Sequence, residues 1–516
     1  MSKLQITATV QIAAGADEAF GSRFLQHRMT GFAGDGYPGA ADTQFMMGGA
    51  HGQVIRRSTQ QSGTLSPLPT RKIGEVSRIG LKMTLAAISL CGLAVSASAQ
   101  DSVAREQGFT IAPNVQTPIV LQTQPDAACN LHPAGVNDPA QTMRLYANAE
   151  GYVRVHVTAK QETQEVRVQL DCGAAVYPLH LRAGSSPTAD MPSPQTVVPV
   201  PQGAQVLPAL TEQEAKLLSD NDLIARGYPV RPDAAASPNR YVKWFDLVSR
   251  PITQIPPHVV SRSDVTHMPR VEAGTNTTSG NWSGLEARGP KRSYMAVGGE
   301  WNVPPIALGE PGLQTYSALW VGLDGDGNAA PFGTPAGHDL VQAGTEQDFT
   351  AIGSYGFANY YAWTEIVPNE AEQPVGLSIS PGDLIQVEVW IGDGTTDPPD
   401  QNGTYGNFRI INWTQGQSSL TRTPLDGTHF VGSEAEWIME RPCLSLCKTS
   451  TPQLADLSAY LITSMSDAVV LPTTGSWINS GKAANLQITM YNGKDELSWP
   501  LSAPPSAMLF QWVNFH

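Results

Sequence analysis

Short stretches in which apolar and polar residues alternate dominate the chain from residue 275 to its end. A period of two places successive side chains on opposite faces of an extended strand. Gly, Pro, Asn and Asp separate these stretches, examples of which are SALWVGLDG, NYYAWTEIV, DLIQVEVWIG and EAEWIME. Many strands at this spacing within about 240 residues predict an all-β domain, a sandwich or jelly roll of two antiparallel sheets.

Two other patterns precede this domain. Residues 100–190 alternate in the same way and predict a small β unit. Residues 191–270 begin with a stretch rich in Pro, Ser and Val, which is typical of a linker. Thr211 and Glu214 then form a T-x-x-E capping box, which predicts a short helix over AKLLSDNDLIARG that ends at Gly227. We expect the rest of this segment to be mostly irregular.

The charge of the chain is unevenly distributed. The 516 residues carry a net charge of −14, but residues 275–516 alone carry −15 and residues 1–274 carry +1. An acidic chain with only 15% charged residues lacks the basic surface that nucleic-acid binding requires. Its 41% hydrophobic residues are sufficient to bury a sizeable core. The acidity therefore belongs to the predicted sandwich, and nucleic acid is not an expected partner.

Residues 226–270 are locally basic. They contain seven Lys and Arg against three acids, the basic ones being Arg226, Arg231, Arg240, Lys243, Arg250, Arg262 and Arg270. Such a segment is either a solvated connector or one that docks on the acidic half that follows. We favour docking, and expect the contact to loosen in acid as carboxylates become protonated.

Residues 76–99 have the layout of a secretory signal. Basic residues flank a short apolar run, Leu85–Val95, and Ala97-Ser98-Ala99 has the small-x-small form of a signal peptidase site. A buried core helix is the alternative, but the basic start and the cleavage site favour export. We therefore expect a secreted, possibly periplasmic, protein without a membrane anchor after cleavage. Residues 1–75 are then disordered or over-annotated upstream sequence.

Four cysteines remain after the signal, and an even number in an exported chain is compatible with two disulfides. Three pairings are open. We favour Cys129–Cys172 and Cys443–Cys447, because each pair lies within one predicted domain. The Cys-x3-Cys spacing could instead bind zinc, but no His cluster accompanies it.

Acids and amides set among aromatic residues are the candidates for chemistry in the C-terminal half. That half lacks G-x-S-x-G and H-E-x-x-H, and it contains only three His. If Glu365 and Glu436 face a groove, burial and like charge would raise a carboxyl pKa, as a general base and acid requires. A neighbouring amide could stabilise an oxyanion. Taken singly, each of these residues is more typical of ordinary strand surface.

From Asn281 to about Val470 the chain resembles the glutamic peptidases, the eqolisin family. The stretches that carry the resemblance occur in the same order as in that family: NWSG from 281, GEWNVP from 299, WVGLDG from 320, VQAG from 341, YAWTE from 361, SPGD from 380 and AEWIME from 435. This family consists of secreted acid proteases built on a concanavalin A-like β-sandwich. The resemblance therefore implies an endopeptidase made with a signal peptide and an inhibitory prosegment.

The resemblance also implies site residues. The catalytic dyad would be Gln342 and Glu436, with Glu436 activating a water as general base and then protonating the leaving amine. Gln342 would hold the water and stabilise the oxyanion. Residues at positions lining the substrate cleft would be Trp320, Asp324, Trp363 and Glu365. No metal or other cofactor is implied, the partners would be protein or peptide substrates and the chain's own prosegment, and we expect a monomer.

Two other interpretations remain open. Clefts lined by Trp and acidic residues also serve sugars, so the domain could be a carbohydrate-binding or glycan-cleaving jelly roll. It could also be an adhesive sandwich without activity. Gln342 discriminates the peptidase from the glycan-cleaving interpretation, because a glycosidase does not need an amide as the partner of Glu436. The presence of both Gln342 and Glu436 argues against an inactive sandwich.

Overall fold

The computed structural model describes residues 106–516, apart from 137, 161–164, 185–197, 230, 233, 235–237, 258–261, 263, 268–277, 308–313, 326–338, 395–398, 445–452 and 504. The predicted signal peptide and the upstream residues 1–75 lie outside the described residues. No helix in the described ranges is both long and apolar enough to cross a membrane.

Residues 107–183 form a small β unit, as their alternation predicts. Its strands are β1 (Gln107–Ile111), β2 (Thr117–Gln122), β3 (Ala128–Pro133), β4 (Met143–Tyr146), β5 (Tyr152–Ala159), β6 (Glu165–Cys172) and β7 (Ala175–Ala183), with a 3₁₀ turn at Pro139–Gln141. Five of them form a sheet in the order β1-β7-β6-β3-β4, and β2 pairs with β5. Cys129 and Cys172 face each other across β3 and β6 and form a disulfide, which is the pairing that the sequence favours.

The segment that follows, here called the leader, contains more helix than its sequence suggests. Its elements are β8 (Gln205–Leu207), α1 (Glu212–Leu217), α2 (Asp220–Ala225), α3 (Pro238–Val248), β9 (Ile252–Ile255) and β10 (Val265–Thr266). The expected single helix is two helices, because Ser219 forms a second capping box with Asp222. Helix α3, which the sequence does not indicate, buries Trp244 and Leu247 against Trp413. The elements of the described leader are short, with irregular stretches between them, as expected.

The C-terminal domain is a β-sandwich, as predicted. Its elements are β11 (Thr278–Ser279), β12 (Trp282–Arg288), β13 (Tyr294–Asn302), β14 (Gln314–Leu323), β15 (Leu340–Ile352), β16 (Tyr355–Val367), β17 (Gln373–Val375), β18 (Leu384–Gly392), β19 (Tyr405–Asn412), β20 (Gln417–Pro424), β21 (Glu434–Glu440), β22 (Cys443–Leu444), β23 (Gln453–Leu454), β24 (Asp456–Leu457), β25 (Ile462–Pro472), β26 (Ile478–Asn479), α4 (Ser480–Ala483), β27 (Leu486–Asn492), β28 (Asp495–Ala503) and β29 (Ala507–Trp512).

Two antiparallel sheets enclose the main core. The first sheet has the central order β12-β21-β14-β15-β16, and the second has the order β25-β13-β18-β19-β20. Alternate residues of the first sheet, such as Val321 and Trp437, pack against Val297 and Val387 of the second. The other alternate residues of the first sheet therefore lie on its outer face, and these include both proposed dyad residues.

The β unit and the leader are both attached to the sandwich. Strand β5 pairs with β16, so that β5 and β2 extend the first sheet. Strand β9 pairs with β20 and extends the second sheet. The leader then crosses to the outer face of the first sheet, where β10 pairs with β22. Cys443 of β22 is disulfide-bonded, while its predicted partner Cys447 lies outside the described residues.

Candidate functional site

One row of residues crosses the outer face of the first sheet. The strand register aligns Glu365 of β16, Gln342 of β15, Gly322 of β14, Glu436 of β21 and Glu286 of β12. All four side chains in this row are buried. Residues at matching positions of neighbouring strands face the same side. The two residues that the sequence nominates as a dyad are therefore brought to one face, separated by a single strand.

Gly322 is the residue that keeps this row open between Gln342 and Glu436. A Cβ added at position 322 would lie 2.9 Å from both Leu340 Cδ1 and Trp320 Cζ3, and 3.3 Å from Gln342 Cβ. Contacts this short require neighbouring side chains to move. Because glycine has no side chain, the amide and the carboxyl group face a common space above β14.

The leader lies on this row and presents a peptide carbonyl to Gln342. The side-chain Nε2 of Gln342 donates to the backbone oxygen of His267 at 2.9 Å, and also to Oε2 of Glu365 at 2.9 Å. The backbone N–H of His267 donates to the same Glu365 oxygen at 3.2 Å. Glu365 therefore orients the Gln342 amide and holds the leader backbone beside it.

The ring of His267 is buried in a pocket of the same face, which we call the histidine pocket and define by Trp363, Glu372, Glu440 and Glu346. The ring stacks on Trp363, with centroids 4.0 Å apart and planes 2° apart. Its Nε2 lies 3.0 Å from Glu372 and 3.7 Å from Glu346, and its Nδ1 lies 3.3 Å from Glu440. Burial by itself would lower the pKa of His267, but the carboxyl groups of Glu372 and Glu440 raise it well above 6.5.

Arg262 is the second leader side chain buried against the domain. Its guanidinium contacts Asp264 at 2.9 Å, Asp348 at 3.5 Å and Glu372 at 3.9 Å. It also lies over the rings of Tyr361 and, from the β unit, Tyr146. A buried guanidinium needs this many partners, because an unpaired buried charge is strongly destabilising. The β unit, the leader and the sandwich therefore meet at Arg262.

Two of the predicted cleft residues, Trp320 and Asp324, make hydrogen bonds within the sandwich. Trp320 donates from Nε1 to Glu440 Oε2 at 2.8 Å, so it fixes one wall of the histidine pocket. The buried Asp324 accepts backbone N–H groups from the loop before β21, which are those of Val431, Gly432, Ser433 and Glu434. Asp324 thus positions the strand that carries Glu436.

Burial and like charge raise the pKa values of several carboxyl groups at this face. The pKa of Glu365 rises to about 8, chiefly through burial. Burial also raises the pKa of Glu436 well above 4.5, and the charges of Glu286, Glu434 and Asp324 add to that effect. Among the described residues neither oxygen of Glu436 has a hydrogen-bond partner, and neither does Oε1 of Gln342. The row therefore combines a protonatable carboxyl with an oriented amide.

These raised pKa values predict that the folded protein is more stable in acid than at neutral pH. A carboxyl whose pKa is higher in the folded state than unfolded retains its proton while the unfolded chain ionises, so stability falls as pH rises through that interval. For Glu365 the interval runs from 4.5 to about 8. Each unit of pKa shift corresponds to about 1.4 kcal/mol. We expect the Tm to fall by at least about 4 °C between the two ends of this interval, as measured by calorimetry. An equal or higher Tm at the alkaline end would contradict the assigned burial.

Sequence reasoning missed several residues of the site. The sequence does not indicate His267, because it precedes the predicted catalytic domain. Its place at the end of the basic segment is the signal that could have pointed to it. Glu286 follows the NWSG stretch and carries no signal of its own until the register places it beside Glu436. Glu372 carries no sequence signal either, and Glu440, although it ends the AEWIME stretch, is not indicated as a site residue.

His267, Glu346 and Glu372 could also hold a metal ion, since their ligand atoms lie within 4.8 Å of one another, but ion pairs already account for these contacts.

Comparison with known proteins supports the resemblance found in the sequence. Residues 280–499 match the model of the Peptidase A4 family. The chain is 28% identical over 182 residues to Aspergillopepsin-2 of Aspergillus niger, covering 31% of this chain and 56% of that protein. It is 30% identical over 148 residues to Scytalidopepsin B of Scytalidium lignicola, covering 29% of this chain and 46% of that protein. The chain thus spans about half the length of these curated relatives.

A solved structure is also similar to part of the chain. The crystal structure of scytalido-glutamic peptidase with a transition state analog inhibitor is 21% identical, with a TM-score of 0.36. The match covers 45% of this chain and 98% of that one.

Proposed function

We propose that this chain is an acid endopeptidase of the glutamic peptidase type whose dyad is Gln342 and Glu436, because residues 280–499 match the model of the Peptidase A4 family. One observation carries the proposal. A peptide carbonyl, that of His267, accepts a hydrogen bond of 2.9 Å from the Gln342 amide, on the register row that also holds Glu436. A substrate carbonyl bound in the same way would be polarised by the amide and exposed to a water activated by Glu436.

The reaction needs only these two side chains and water. Glu436 removes a proton from the water as its oxygen attacks the carbonyl carbon, and the carbonyl electrons move onto the oxygen that Gln342 holds. Glu436 then gives that proton to the amine nitrogen, the C–N bond breaks, and a carboxylic acid and an amine are released. Glu365 supports these steps by orienting the Gln342 amide.

In this proposal the charge of Glu286 helps to raise the pKa of Glu436, the general base. It lies directly opposite Glu436 and pairs with Arg288 at 2.6 Å, and burial raises its own pKa to about 6. Replacing Glu286 with Gln removes a negative charge beside Glu436 and lowers the pKa of that carboxyl. A base acts only when ionised, so we expect the acid limb of kcat/KM to move to lower pH by about one unit.

The pH profile of the Glu286→Gln variant, measured on one synthetic peptide, checks this prediction. Glu496→Gln is the matched control, because Glu496 is also a strand glutamate but lies on β28 and accepts its hydrogen bond from Tyr491, away from the leader. An unchanged acid limb in Glu286→Gln would contradict the role given to the carboxyl pair.

We further propose that the leader inhibits this site within the same chain. Arg262 and His267 are its buried anchors, and Arg240 and Lys243 of α3 pair with Glu388 and Glu300 of the second sheet. These contacts support the docking of the basic segment that its charge predicts. The backbone carbonyl of His267 accepts the hydrogen bond of the Gln342 amide, so a substrate can bind there only after displacing the leader.

The pKa directions give the two anchors of the leader different responses to acid, and loosening of the leader in acid stays a prediction. The pKa of His267 is raised in the docked state, so its contribution is fully present below 6.5 and is lost only as pH rises through the raised value. Asp264 has a lowered pKa, chiefly because Arg262 outweighs the effect of burial, so its contribution is lost only below about 3.8. Burial raises the pKa of Asp348, which faces Arg262, to about 6, so this pair weakens in mild acid while the His267 contacts keep their contribution there.

Digestion of casein and of a polysaccharide panel by the purified chain tests the proposal. We expect acid-dependent release of peptides from casein and no release of reducing sugar, because an amide beside a carboxyl suits acyl chemistry. Release of sugar without proteolysis would overturn the proposal in favour of the glycan-cleaving alternative. Secretion remains a prediction from residues 76–99, tested by identifying the N-terminus of the exported protein.

A further inference from the structure

The histidine pocket has the features of a built subsite for a substrate side chain. It lies on the same outer face as the proposed dyad, and its lining side chains are all buried. The ring that fills it belongs to the residue whose carbonyl is bound by Gln342. The pocket therefore holds the side chain on the amino side of the bond that the proposed dyad would attack.

The pocket is shaped for a flat ring with two polar edges. Trp363 offers its face at 4.0 Å and nearly parallel. Glu372 and Glu346 lie on the Nε2 side of the ring, and Glu440 lies on the Nδ1 side. An imidazolium can serve both sides at once, whereas a lysine ammonium presents all its donors at one point. A phenyl ring would stack equally well but would leave the buried carboxyl groups without a donor.

Part of this pocket is held by groups that do not belong to the leader. Glu440 accepts hydrogen bonds of 2.8 Å from Trp320 Nε1 and from Asn281 Nδ2. Glu346 is fully buried, and neither of its oxygens has a hydrogen-bond partner among the described residues, although Oε2 faces the ring. These walls therefore present acceptors to whatever side chain enters the pocket.

We propose that the histidine pocket makes this peptidase selective for bonds that follow a histidine. This inference rests on the proposed function and adds the substrate class to it: peptides with histidine on the amino side of the cleaved bond. In the chain itself, His267 occupies the pocket as such a residue would, with its carbonyl on Gln342 and its ring between Trp363 and the carboxyl groups.

Cleavage of a matched peptide set tests the proposal without any change to the protein. The full chain is incubated in acid with peptides that differ only by His, Lys, Phe or Asn at one position, and the cut bonds are mapped by mass spectrometry. Hydrogen bonds to charged groups predict a value of kcat/KM about 10- to 100-fold higher for His than for Phe or Asn. Equal rates for the four peptides would overturn the selectivity.

Variants of the pocket give a second readout. Glu372→Gln is expected to reduce the His-over-Phe ratio at least about fivefold, because the charged partner at Nε2 of the imidazolium is lost. The ratio compares two peptides on one variant, so a change in leader docking through the lost Arg262–Glu372 pair affects both peptides alike. Glu496→Gln, on β28 and outside this face, is the matched control. An unchanged ratio in Glu372→Gln would contradict the role of the histidine pocket in selectivity.

Failure of wild type to cut any peptide would overturn the proposed function together with this inference, whereas cutting without preference for His would overturn the inference alone.

Discussion

Replacing Glu436 with Gln is expected to lower kcat by about 10²- to 10⁴-fold, because the variant has no base to take a proton from water. Replacing Gln342 with Ala is expected to lower kcat by about 10²- to 10³-fold, because the oxyanion loses its donor. Glu436→Gln removes an interaction made only in the transition state, so its KM should change little. Gln342→Ala also removes the hydrogen bond to the substrate carbonyl, so its KM should rise as well. Initial rates on one fluorogenic peptide, with kcat and KM separated, measure both effects.

Matched controls separate chemistry from folding. Glu496→Gln and Gln487→Ala make the same chemical changes on β28 and β27, away from the proposed dyad, and should retain wild-type kinetics. The Tm of Glu436→Gln should match or exceed that of wild type, since Glu436 is a buried carboxyl whose oxygens have no partner among the described residues. The Tm of Gln342→Ala should be lower, because two buried hydrogen bonds are lost and a cavity is left. A dyad variant that folds normally and keeps its kcat would remove that residue from the mechanism.

The second large effect is expected at the two leader anchors. Changing Arg262 and His267 together to Ala leaves Asp348, Glu372 and Glu440 without their buried cationic partners whenever the leader is docked. Removing one partner of a buried pair costs about 3–5 kcal/mol, which is about 10²- to 10⁴-fold in a docking equilibrium. We expect the wild-type chain to show a lag when it is first placed in acid, and the double variant to cut peptides without a lag.

Progress curves recorded immediately after acidification measure this difference. Arg226→Ala is the control, because Arg226 is an exposed basic residue of the same leader. It should keep the wild-type lag. A double variant with the same lag as wild type would mean that the leader contacts at the Gln342 amide do not limit activity, and would contradict autoinhibition through these anchors.

Much of the fold follows from sequence because its signal is local. Alternation identifies the strands that carry Gln342 and Glu436 and indicates which residues share a face. The capping box at Thr211 correctly begins a helix, but its length was misjudged because Ser219 offers a second cap to Asp222. Helix α3 was missed because it is stabilised by tertiary packing of Trp244 against the domain, which local propensity does not contain.

The site was only partly predictable, for a similar reason. Stretches such as VQAG and AEWI occur in the same order as in a known family, and that resemblance indicates Gln342 and Glu436 as the catalytic candidates. The pairing of Glu286 with Glu436 depends on strand register across β12 and β21, which a single sequence does not specify. The position of His267 depends on the return of the leader to the first sheet after α3 and β9. Its contact with Gln342 joins residues that are 75 positions apart in the sequence, which local patterns do not indicate.

The central claim is that peptide bonds are cut in acid by Glu436 and Gln342 acting together. Casein digestion by wild type, Glu436→Gln and Gln342→Ala, compared over a pH range from about 3 to about 7 that spans the ordinary carboxyl and histidine pKa values, tests it most directly. We expect acid-dependent digestion by wild type and its loss in both variants. Digestion by either folded variant at the wild-type rate would contradict it.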